Sequence, residues 1–283
     1  MSSYRNIAVA GPGTLGKTVI QELLNFKAAG QVDTVVVLTR SHNNALDEFA
    51  KQGARFAIVD YSIPASLESA LSGIDVVIST VVHDIPSLKA QWPLARAAKA
   101  VGVKLFVPSE YGHPTNQGFK VGVFGIKTAL QEYLKEIGLP FALLWTGFWS
   151  ETLLGMIKGG SVYVGGDGTT LNSFTAQRDI ARFLAYVVVN SPSKDQTLRI
   201  ESDRKSANEA LALYEQKTSL KAPIAFLPLE GLKEAAKDPD DFISHLMLNQ
   251  AEGKAVVGTV EELDNAKFPG WNPKSVVDVL TSE

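Results

Sequence analysis

Short apolar runs punctuate the first half of the chain: IAVA at 7–10, VVVL at 35–38, FAIV at 56–59, VVIST at 76–80, LFV at 105–107 and FALLW at 141–145. They are continuous, not alternating, which is the pattern of parallel strands buried on both faces. Between the first two, Leu15, Val19 and Leu23 share one helical face with Ile20 and Leu24 beside them, and Gly30 supplies a helix stop. The segment 86–100 has a similar stripe but holds Pro93, so that helix either begins near Trp92 or kinks there. Six strands alternating with helices predict an α/β fold built on a doubly wound parallel sheet.

Beyond about residue 150 the rhythm changes. GGSVYVGGDGTTLNSF reads as a hairpin or a pair of loops, followed by a helix over 179–189, a strand at LRIES, and helices over 206–217 and 229–251. The expected division is 1–150 for the sheet domain and 151–283 for a smaller substrate-binding lobe over the carboxyl edge of the sheet, with some later segments returning to the first domain.

Composition narrows the chemistry. The 283 residues include no cysteine, which excludes disulfides, thiolate zinc sites and cysteine nucleophiles and fits a reducing, cytoplasmic setting. No run approaches the roughly 18 apolar residues of a membrane span, and the opening MSSYRN lacks the pattern of a secretion signal. With 27 basic against 30 acidic residues and no basic block, direct nucleic-acid binding is not expected. No repeat or proline-rich linker interrupts the chain, and oligomeric state is not legible.

Gly11, Gly13 and Gly16, with Pro12, Thr14 and Leu15 between them, spell G-x-G-x-x-G directly after a strand and before a helix. The first glycine permits a tight turn, the second lets backbone approach a pyrophosphate, and the third packs helix on strand. The helix N-terminus then directs its N–H groups at the phosphates. The spacing therefore predicts a dinucleotide-binding, Rossmann-type first domain, with Thr80 at the end of the fourth run among the cofactor residues. The second strand ends Leu38, Thr39, Arg40, and the only nearby acid, Asp33, lies at its other end. An arginine there pairs with a 2′-phosphate, which favours NADPH over NADH. The plainer reading of Arg40 is a solvated surface cation.

The fifth strand leads into VPSEYG at 107–112, and Lys127 follows on a helix. A lysine in a partly desolvated cleft could hold the nicotinamide ribose, polarise a substrate oxygen or move a proton; the alternative is an exposed helix lysine. GPGTLG, the strand end TR, KLFVPSEYG, and Lys127 placed thirteen residues before Pro140 in GIKTALQEYLKEIGLPF together resemble the NmrA-like, isoflavone reductase-like family, atypical relatives of the short-chain dehydrogenases. GDGTTLNSFTAQRDIARF is similar to that family's stretch after the substrate loop. The resemblance implies an NADPH-dependent reductase in which Lys127 acts as general acid or base or orients the ribose. It implies small planar, aromatic or enone-like substrates, with an NADP(H)-sensing regulator as the alternative.

The chain departs from related patterns. Val123 stands four residues before Lys127, and no tyrosine here has a lysine four residues on, so the Tyr-x-x-x-Lys of classical short-chain dehydrogenases is absent and an epimerase reading is weakened. The loop SHNNALDEF offers no second phosphate lysine, leaving His42 as a possible contributor. Tyr111 could donate a proton but is more simply a packed ring. Ser109 and Glu110 suit local hydrogen bonding, and His83 and Asp84 suit an ordinary loop, although a histidine there could serve as acid or base. His113 and His245 share no metal-ligand spacing. Asp179 fits a helix first turn, no G-x-S-x-G elbow exists, and Trp145, Phe148 and Trp149 are equally suited to the core or to stacking on a flat substrate.

Overall fold

A computed structural model describes residues 4–41, 44–82, 84–191 and 194–282. The chain divides into two compact units, each assembled from three stretches. The first takes Met1–Glu110, Phe124–Leu143 and Ala181–Thr197; the second takes Tyr111–Val123, Leu144–Ile180 and Leu198–Glu283.

In the first unit, β1 (Asn6–Ala10), α1 (Thr14–Ala28), β2 (Thr34–Thr39), α2 (Asp47–Lys51), β3 (Arg55–Ile58), α3 (Pro64–Leu71) and β4 (Val76–Ser79) follow in order. Then come α4 (Ile85–Lys89), α5 (Gln91–Ala100), β5 (Leu105–Val107) and α6 (Gly122–Glu136). The five strands are all parallel, in the order β3-β2-β1-β4-β5, with Ile7 in register with Val35 on one side and Val76 on the other. Ile7, Val9, Val35, Val37, Val76 and Ile78 are fully buried, as strands covered on both faces must be. Strand order reverses at β1, so a crevice is expected between the carboxyl ends of β1 and β4.

α1 buries the predicted stripe of Leu15, Val19, Ile20, Leu23 and Leu24, and Gly30 at φ 72° follows its end. Of the two expectations for the segment around Pro93 the first holds, since a helix begins near Trp92, at Gln91. α4 ends at Lys89, Ala90 separates it from α5, and Pro93 falls in the first turn of α5, where its missing N–H costs nothing.

The remaining elements are β6 (Ala142–Trp145), β7 (Phe148–Trp149), α7 (Ser150–Lys158), β8 (Val162–Gly165), β9 (Leu171–Thr175), α8 (Gln177–Asn190), β10 (Gln196–Arg199) and β11 (Asp203–Ser206). After them come α9 (Ala207–Thr218), β12 (Ile224–Leu227), α10 (Leu229–Ala235), α11 (Phe242–Ala251) and α12 (Val276–Leu280). The sixth apolar run is not a full strand of the main sheet. One bridge, Phe106 to Phe141, links its start to β5, and β6 itself pairs with β10.

Three further expectations are corrected. β8 and β9 form no hairpin: β8 pairs in parallel with β12, while β9 lies antiparallel to β11 and parallel to β7. The glycine that ends β8 serves close approach, since a Cβ on Gly165 would lie 2.1 Å from the Met247 carbonyl of α11. LRIES splits because it changes partner: Ile200 N donates to Trp145 O (3.0 Å) and Ser202 N to Phe174 O (2.8 Å). The single helix over 229–251 is two, broken at the stretch holding Pro239, with Asp241 capping α11 by accepting from Ser244 N at 3.0 Å. The core of the second unit gathers Phe148, Val162, Val164, Phe174, Leu211 and Met247.

Candidate active site

The three motif glycines meet different demands. Gly11 follows β1 at φ 95°, and a Cβ there would come within 2.9 Å of the Thr80 carbonyl and Val81 N. A Cβ on Gly16 would lie 2.2 Å from Gly11 O and 2.6 Å from Thr80 Oγ1. Both are fixed by the protein's own packing. Gly13 is different: a Cβ there would meet nothing within 4 Å, and this residue caps α1 with no side-chain cap and no acidic residue in the first turn. The helix therefore opens its amino end, with its partial positive charge, onto empty space.

That space is a cleft of about 390 Å³ lined by Gly11, Pro12, Gly13, residues 38–41, Tyr61, residues 80–82, Pro86, Ser87 and Ala90. It lies where the strand order reverses. Thr80 fixes its inner wall, Oγ1 donating to Gly11 O at 2.7 Å. Arg40 stands exposed on the opposite side, with no ion pair among the described residues. Tyr61 is half-buried, and burial pushes its hydroxyl up while the Arg40 charge opposes that shift. Tyr61 was not singled out by sequence reasoning; its place just after β3, at the carboxyl end of the strand beside β2, is the signal that could have found it. Asp33 sits at the far end of β2, bound by Arg5 Nη2 at 2.6 Å, as its position indicated.

The cleft thus collects Gly11, Pro12, Gly13, Arg40 and Thr80. Thr14 is exposed in the first turn of α1, while Leu15 and Gly16 are buried behind it. These features fit a dinucleotide: Gly13 leaves the room a phosphate needs, α1 supplies donors, and Arg40 supplies a cation one strand away.

Lys127 does not line this cleft, and it is not a surface lysine. It is only 4% exposed, and its Nζ donates to the Glu110 carbonyl at 2.7 Å. Burial lowers its pKa, opposed by the Glu110 charge. The turn that carries this carbonyl is tied to the cleft wall. Ser109 Oγ donates to Val81 O at 2.8 Å, Ser109 N to Gln91 Oε1 at 2.9 Å, and Glu110 N to Pro108 O at 2.8 Å.

Of the other candidates, His42 and His83 lie outside the described residues. Asp84 caps α4, accepting from Ser87 N at 2.7 Å. Tyr111 is buried at φ 23°, and its carbonyl accepts from Trp149 Nε1 at 2.7 Å. Trp145 and Phe148 are core residues, and His113 packs edge-on against Phe148 with ring centroids 4.6 Å apart. Asp179 lies in the first turn of α8 and also accepts from Lys274 N at 2.9 Å. His245 Nε2 lies 3.1 Å from Asp238 O. Among the described residues no cluster of His, Asp and Glu is placed to hold a metal ion.

Comparison with known proteins gives the same picture. The chain is 28% identical over 258 residues to a phenylcoumaran benzylic ether reductase of Pinus taeda, spanning 84% of this chain and 82% of the relative. It is 27% identical over 253 residues to an isoflavone reductase homolog of Solanum tuberosum, spanning 81% and 80%. In fold it matches leucoanthocyanidin reductase of Vitis vinifera, solved as a binary complex with NADPH, at a TM-score of 0.83 and 21% identity over 97% of this chain and 98% of that one. The model of the NmrA-like family matches residues 4–268. With the glycine turn, the parallel sheet and nearly the whole length in agreement, the chain belongs to the NmrA-like family.

Proposed function

We infer that this chain is an NADPH-dependent oxidoreductase, reducing a small planar substrate of aromatic or enone-like character. The observation that carries the reading is the open face of Gly13 at the uncapped amino end of α1, inside a cleft that also presents Arg40. Gly11, Pro12, Gly13 and the first turn of α1 would hold the coenzyme's diphosphate, and Arg40 its 2′-phosphate. When bound, the coenzyme supplies the hydride. The relatives, named for reductase activities on aromatic compounds, support turnover and the substrate class.

Lys127 is assigned the proton. Its ammonium is held out of water against a backbone carbonyl, and burial eases the loss of its proton. A general acid is most effective when its pKa approaches the working pH. The test is to follow NADPH absorbance with a panel of aromatic enones, quinones and benzylic ethers. Turnover of at least one member is expected, and Lys127→Ala should lower kcat by about 10²-fold or more. Tight NADPH binding with no turnover anywhere, and no effect of Lys127→Ala, would instead indicate a coenzyme-sensing protein.

A further inference from the structure

Glu110 is buried to 1% exposure, and nothing in the hydride chemistry assigned above uses its carboxylate. A carboxylate in such a place is costly unless its charge is met. Two residues of α6 engage Glu110. Gln131 Nε2 donates to Glu110 Oε1 at 2.8 Å, and Lys127, one helical turn earlier on the same face, places its ammonium on the carbonyl of the same residue. Glu110 therefore binds the lysine through its backbone while its side chain is anchored to the helix that carries that lysine. The next residue, Tyr111, holds φ 23°, a conformation that non-glycine residues rarely keep unless their surroundings impose it. Here the turn is fixed on both sides, by Ser109 to Val81 and Gln91, and by Glu110 to Lys127 and Gln131.

We propose that Glu110 is the positioning residue of the site: its carbonyl fixes where the Lys127 ammonium sits, and its carboxylate keeps that ammonium charged until a proton is needed. The role assigned to Lys127 under the proposed function is assumed, and the coupling itself is not. The charge of Glu110 acts on Lys127 against its burial; around the turn, Gln91, Ser109 and Gln131 are neutral amides and a hydroxyl, and Tyr111 is a buried phenol. Burial and the Glu110 charge act in opposite directions, so removing the charge leaves burial alone and the lysine gives up its proton at lower pH.

The test is a pH titration of the Lys127 Cε resonance in protein carrying ¹³C-labelled lysine, assigned by its loss in Lys127→Ala. In Glu110→Gln, which keeps the shape and the acceptor for Gln131, the midpoint should fall by about one pH unit, a tenfold change in proton affinity. In Glu110→Asp, which keeps the charge, it should stay within a few tenths of a unit of wild type. The coupling is reciprocal, so in Lys127→Met the Glu110 carboxyl midpoint should rise; this arm stands even if Glu110→Gln fails to fold. An unchanged midpoint in folded Glu110→Gln, equal shifts in the Gln and Asp variants, or no rise for Glu110 in Lys127→Met would each overturn the proposal. None of these titrations contains coenzyme, so a failure of NADPH to bind would sink the functional reading and leave this one to be judged alone. In turnover assays, the pH limb due to Lys127 should move down with Glu110→Gln, which a purely structural defect would not do.

Discussion

Gly13 and Gly16 stand three residues apart and answer to opposite constraints. Gly16 is pinned between Gly11 O and Thr80 Oγ1, so Gly16→Ala must force backbone apart and should cost about 1–3 kcal/mol in thermal denaturation. Gly13 faces open cleft, so Gly13→Ala should lose less than about 1 kcal/mol, the scale of an N-cap change, while NADPH affinity falls because the added methyl takes a phosphate's place. If Gly13→Ala bound NADPH like wild type, its open face would have no functional meaning. Arg40→Ala should weaken NADPH about tenfold and leave NADH nearly unchanged, since only the former carries the phosphate that a guanidinium can pair with. These residues were legible because the motif ties residue type to backbone demand. Tyr61 was not, because an aromatic residue after a strand carries no such signature until the strand order places it beside Arg40.

At the scale of elements, the amino ends of the strands are fastened by Asp75. Its carboxylate accepts from Arg5 N (3.0 Å) and Asn6 N (2.9 Å), and Lys104 Nζ lies 2.7 Å away. Partial burial alone would raise its pKa, but Lys104 and the two amides outweigh it and hold the carboxyl below its usual range. A lowered folded-state pKa means stability that is present above the unfolded-state value and lost as pH falls through the folded one. Asp75→Asn should therefore cost about 1–3 kcal/mol near neutral pH, with the variant and wild type converging in acid; equal denaturation midpoints at neutral pH would contradict this. The strands that build the main sheet were readable from short apolar runs, because a strand buried on both faces must be apolar throughout. The pairings of β8 and β9 were not. Their partners, β12 and β11, come later in the chain, and the glycines that resemble hairpin turns instead admit α11 against β8. The break in the predicted helix around Pro239 goes with capping of α11 by Asp241, a local competition that periodicity alone does not register.

At the scale of the whole molecule, alternation of strand and helix dictated the doubly wound sheet, and the fold matches that of an NADPH-bound reductase structure. A return of later segments to the first domain was expected, but residues 181–197 carry no compositional mark that singles them out, nor do residues 111–123 carry one that assigns them to the second unit. No helix among the described residues is long and apolar enough to cross a membrane. The coenzyme reading rests on one site in the first unit, where the amino end of α1 opens on the cleft that Arg40 borders. Isothermal titration calorimetry of the folded protein with NADPH and with NADH tests that site most directly. The account predicts saturable binding of NADPH, tighter than that of NADH, with the difference abolished in Arg40→Ala. No heat with either coenzyme, or equal affinity for both, would contradict it.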